Sequence, residues 1–152
     1  MHAESVTRVI VDLDPEQPDA PTFEADTSDL VFFLSWAFSA RYGASHELSL
    51  AALVMKTEFK VDLAPMLNFA DRDVADADDE KLLEEAWQDP APLAECCREV
   101  LRALDAGERR LTAVLEEYPD LHRNVEDLER LAAWAAGRGC RLRLTYELEE
   151  LV

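Results

Sequence analysis

The sequence predicts a predominantly helical α+β fold: one domain over residues 1–152, with five to six helices and a small sheet made by the two ends of the chain. Three observations predict it. Residues 5–13 and 140–148 alternate apolar and polar side chains at the strand period, apolar positions recur at helical spacing through most of the intervening chain, and no repeat of roughly 20–50 residues is present. Hydrophobic residues are 49% and charged residues 32% of the chain, a balance that excludes a disordered tail and supplies enough apolar surface for one core.

In SVTRVIVDL, Thr7, Val9, Val11 and Leu13 form an apolar face opposite Val6, Arg8, Ile10 and Asp12, the pattern of a strand. Pro15, Pro18 and Pro21 fix φ and remove ladder donors, so 14–28 is an extended connection. Thr27, Ser28 and Asp29 then offer capping oxygens ahead of LVFFLSWAFSARY, and Gly43 is a natural left-handed stop. Apolar residues surround this first helix, with Leu30, Phe33, Ala37 and Ala40 on one side and Val31, Leu34 and Phe38 on another. Such a helix is either central to the core or lends a side to a partner. A second helix is expected from Ser45 to about Glu58, with Leu50, Leu53, Val54 and Thr57 sharing a face; a third strand, where the sheet has one, is expected at Glu58 to Leu63.

The segment DRDVADADDEK is too charged to bury and too rich in Asp for a helix interior, so 70–80 is expected to be an acidic solvated loop, with a short helix at 79–88. Pro90 and Pro92 open the next helix, which carries Leu93, Cys97, Val100, Leu101 and Leu104 inward and stops at Gly107. A short amphipathic helix follows on Leu111, Val114, Leu115 and Tyr118, closed by Pro119. Asn124 is expected to cap the last helix, whose inward face is Val125, Leu128, Leu131, Ala132 and Ala135, with Trp134 at the flank. After Gly139, Cys140, Leu142, Leu144, Tyr146 and Leu148 alternate with polar residues in the clearest strand of the chain. The first and last strands are each other's best partners, and the helix from Asp29 to Tyr42 is expected to support them.

Thirty-three Asp and Glu against fifteen Lys and Arg give a net charge of −18, which disfavours direct nucleic acid binding and anionic membranes. A GC-rich genome or a salt-adapted proteome produces the same acidity. The opening residues lack the basic start and apolar core of a secretory signal, and no apolar run reaches the roughly 18 residues of a membrane span. Three cysteines leave an odd thiol, and Cys96 and Cys97 are adjacent, so reduced thiols and a cytoplasmic location are expected.

Motifs that carry chemistry are missing from the text. Asp71, Asp73, Asp76, Asp78, Asp79 and Glu80 are hard oxygen donors, but a calcium loop opened at Asp71 would place Asp76 at its turn glycine and Leu82 at its closing glutamate. That run is expected to cap a helix. His2, His46 and His122 belong to no zinc pattern, no G-x-S-x-G is present, and the three cysteines sit where small core residues belong. No catalytic, cofactor or metal residue is therefore assigned. The density of FFLSWAF has two accounts: a central helix packed on every side, or a docking surface through Phe32, Phe33 and Trp36, including a homodimer across a two-fold axis. Arg141 and Arg143, with Arg8 nearby, form either a basic spot or cross-strand pairs with Asp12 and Glu147. The leading expectation is a small acidic, non-catalytic binding or regulatory module, acting as a homodimer or on a basic protein partner. The alternatives are a carboxylate- or metal-dependent enzyme and a small-molecule sensor whose aromatic helix lines a pocket.

Overall fold

The computed structural model describes residues 4–40 and 42–151. The elements are β1 (Glu4–Asp14), α1 (Ser28–Ala40), α2 (Glu47–Glu58), α3 (Ala64–Leu67), β2 (Phe69–Asp71), α4 (Ala77–Glu85), β3 (Trp87–Gln88), α5 (Pro90–Leu104), α6 (Arg109–Glu117), α7 (Leu121–Gly137) and β4 (Arg141–Leu151). The fold is α+β and mostly helical, with a seventh helix in the single turn of α3. No helix among the described residues is long and apolar enough to cross a membrane.

Strand β4 organises the sheet. It pairs antiparallel with β1 along its whole length, from Asp14 opposite Arg141 to Glu4 opposite Leu151. Its other edge takes β2 in parallel, with Phe69 opposite Leu144, and β3 antiparallel, with Trp87 opposite Arg143. The third strand is therefore β2 and not Glu58 to Leu63. In that stretch Lys60 takes a left-handed conformation (φ 57°), so the chain reverses and the Val61 N–H donates back to the Met55 carbonyl at 3.0 Å. Val61 and Leu63 are buried as alternation demands, but a turn followed by a Pro-containing helical start places them there.

The inward stripes of α5 and α7 pack against each other, burying Leu93, Cys97, Val100 and Leu104 with Val125, Leu128, Ala132 and Ala135. Long, regular apolar spacing leaves little choice of face. In α2 the buried residues are Leu48, Ser49, Ala51, Ala52, Val54 and Met55. Leu50 and Leu53 stand 45% and 39% exposed and Thr57 is exposed, which corrects the expected face; alanines let α2 lie close to α1 while the larger leucines remain outside.

The proline-containing connection before α1 is a strap held by side chains. Thr27 Oγ1 accepts from the Val9 N–H at 2.9 Å, and the buried Asp127 accepts from the Glu24 N–H at 3.0 Å. Asn124 is not a cap: α7 begins at Leu121, and the buried Asn124 amide donates to the Asp26 carbonyl at 3.0 Å. The strap delivers the chain to α1, where the Thr27 carbonyl accepts from the Val31 N–H.

Candidate functional site

Helix α1 turns Leu30, Val31, Phe33, Leu34 and Ala37 into the core and leaves Phe32 45% and Trp36 37% exposed. It is thus a supported helix that lends one side to solvent. Phe33 is completely buried, which removes it from the expected interaction surface: it lies 100° round the helix from Phe32, on the inward arc. Trp36 stacks on His46 with ring centroids 4.2 Å apart and 4° between planes. His46 Nδ1 in turn accepts from the Leu48 N–H and caps α2, while Ser49 donates to the Trp36 carbonyl at 2.8 Å. These contacts hold Trp36 in place without covering it.

Beside this face lies a notch of about 500 Å³ between α1, β2, α4 and β4. The parallel pairing of β2 with β4 brings Phe69 next to Tyr146, with centroids 5.6 Å apart, and Phe38 of α1 meets Phe69 edge-on at 6.3 Å. Asp79, Leu82 and Glu85 share a face of α4, at spacing three, and line the same notch with Asp71. Burial, aided by the adjacent Asp71 carboxylate that accepts the phenol's hydrogen bond, pushes the Tyr146 phenol above its ordinary range. The nearest arginine in sequence, Arg72, is directed away to Asp12 at 2.7 Å and Thr145 at 3.0 Å. Aromatic walls beside carboxylates suit an organic cation, which ring quadrupoles and negative charge attract together.

The acidic run is divided among three elements, and the 70–80 loop is corrected accordingly. Asp71 ends β2, residues 72–76 form the loop, and α4 starts at Ala77 with Asp76 accepting from the Asp79 N–H at 2.9 Å. The helix ends at Glu85, short of 88, because Trp87 and Gln88 pair with β4. Among the described residues no group of three or more His, Cys, Asp or Glu side chains is placed to hold a metal. His2 lies outside the described residues; His122 contacts Asp105 at 2.8 Å and Glu126 at 3.1 Å.

The arginines of the sheet form cross-strand pairs: Arg8 with Glu147, Arg141 with Asp14, and Arg143 with Asp12. Trp87 lies under Arg143 at 4.4 Å and Arg141 at 5.1 Å, a further use of the same cations. Cys96, Cys97 and Cys140 are free and buried. Burial pushes the Cys96 thiol to about 12 and the Cys97 thiol well above its usual range, so neither supplies a thiolate near neutral pH. Iodoacetamide is accordingly expected to leave Cys96 and Cys97 unmodified in the folded protein and to alkylate both in denaturant, as read by mass spectrometry. Rapid labelling of either in the native state would contradict their burial.

Phe32 and Trp36 were visible in the sequence as aromatics without polar company. Phe69, Tyr146 and the α4 face were not visible as a unit, since the notch requires a three-residue strand to find a partner far along the chain. Comparison with protein-family models, curated proteins and solved structures yields no match.

Proposed function

We propose that the protein is a small, acidic, cytoplasmic binding module without catalytic chemistry that docks a basic protein partner and seats a cationic side chain in the notch. The carrying observation is the meeting of Phe69 and Tyr146 with Asp71, Asp79 and Glu85 around one concavity. The exposed Phe32 and Trp36 on α1 supply apolar area for the rest of the partner. A net charge of −18 favours this occupant over a second copy, because two such chains repel while a basic segment is drawn in. Free, buried thiols support a reducing compartment.

Titration with an arginine-rich peptide, followed by amide shifts and calorimetry, tests the reading. Shifts are expected at Ser35, Phe69, Asp71 and Tyr146, with affinity falling as salt rises. A variant with Asp71→Asn and Asp79→Asn is expected to bind about tenfold more weakly. A variant with Glu16→Gln and Glu116→Gln has the same net charge and is expected to change affinity less than about twofold. Equal losses in the two variants would show diffuse attraction, and equal binding of a citrulline-substituted peptide would show recognition that does not use the cation; either result sinks the proposal.

A further inference from the structure

A second concavity, of about 760 Å³, opens where α1, α2 and residues 60–68 meet. Its walls are largely apolar: Ala40, Ala52, Leu53 and Leu67 contribute, and the small alanines leave the width between the helices. Lys56 and Lys60 stand on it, together with Asp62. Nine arginines and Lys81 form ion pairs with carboxylates, whereas Lys56 and Lys60, like Arg102 and Arg109, have no ion-pair partner among the described residues. Of these four cations, Lys56 and Lys60 are the two that line the groove.

Lys60 is also the one non-glycine residue with positive φ among the described residues. Left-handed backbone is unfavourable for a residue with a Cβ, and glycine is the ordinary occupant at the end of a helix. A lysine retained there places a cation beside the groove at the expense of local stability, a pattern associated with function. Asp62 supplies the opposing charge, and its carboxylate accepts from the Ala64 N–H at 3.0 Å at the start of α3. Two lysines against one aspartate leave a single positive charge.

We propose that this groove binds a small amphipathic monocarboxylate, with the apolar body between α1 and α2 and the carboxylate at Lys56 and Lys60. Apolar walls with a few convergent charges are the usual construction of a small-molecule site, and one net positive charge matches one carboxylate. The site adjoins the notch assigned to the basic partner, with Leu67 and Asn68 as a shared wall, but its charged residues are different ones. Neither proposal depends on the other.

Decanoate, decanol and decylammonium, titrated separately against the full chain and followed by amide shifts, distinguish the outcomes. Decanoate is expected to give saturable shifts at Ala40, Ala52, Val61 and Leu67, and to bind at least about fivefold more tightly than decanol. The variant Lys56→Gln with Lys60→Gly is expected to lose that preference. Because glycine relieves the left-handed strain, the variant is expected to melt no lower than the parent, so lost binding is not lost folding. The Asp71→Asn, Asp79→Asn variant is expected to bind decanoate like the parent. Absence of saturable shifts, equal affinity for decylammonium, or an unchanged preference in the double-lysine variant overturns the proposal.

Discussion

Phe33→Ala is expected to lower the unfolding free energy by about 3–5 kcal/mol, whereas Phe32→Ala is expected to lower it by less than about 1 kcal/mol. The two residues are neighbours of the same type, and their difference is geometric. Phe33 has no exposed surface and packs within the main core cluster; Phe32 is 45% exposed. Truncating Phe33 removes a fully buried ring and leaves a cavity that flanking helices fill incompletely, so transfer and packing losses add. Against the roughly 5–15 kcal/mol available to a small domain, that is a large fraction. Urea unfolding, with the slope unchanged and only the midpoint displaced, reads it directly. Equal midpoint shifts would mean that α1 is rotated from the orientation described. Phe32→Ala, in contrast, retains the fold and is the variant in which loss of partner affinity has a clean meaning.

The same pair shows what the sequence makes legible. Long amphipathic elements were readable because one inward arc dominates: α5, α7, β1 and β4 follow their spacing. The joining of the chain ends followed from the need of an isolated strand for backbone partners. A segment apolar all round offers no such arc, so Phe32 and Phe33 were indistinguishable until the sheet, α2 and α7 surrounded one side of α1. In α2 the small residues Ala51 and Ala52 face inward and Leu50 and Leu53 outward, since close helix approach outweighs side-chain size there. β2 is three residues long and has no period of its own; Phe69 acquires its place by pairing with β4. Nor does anything local to Lys60 announce a reversal, because the sequence signal for a left-handed residue is glycine. The notch and the groove both depend on such non-local placements.

Asp127→Ala is expected to cost about 2–4 kcal/mol and to act first on the strap between β1 and α1. The Asp127 carboxylate is inaccessible to solvent, yet it accepts from the Glu24 N–H at 3.0 Å and from Arg130 at 2.8 Å, with Arg123 at 3.4 Å. Both arginine side chains are 45% exposed and rehydrate when the carboxylate is removed, so their pairing contributes little. Most of the cost lies in the amide of Glu24, which loses a charged acceptor in a part-buried position. Asp127→Asn retains an acceptor of the same shape and is expected to cost about half as much. Hydrogen exchange distinguishes local from global effects: the Glu24 amide is expected to lose more protection than the midpoint shift accounts for, while amides in α5 follow the midpoint. Asn124 holds the same strap through the Asp26 carbonyl, so Asp127→Ala and Asn124→Ala are expected to be non-additive by about 0.5 kcal/mol or more. Strict additivity would mean that the two buried polar residues fasten independent segments, and that the approach to α1 does not depend on a single cooperative tether.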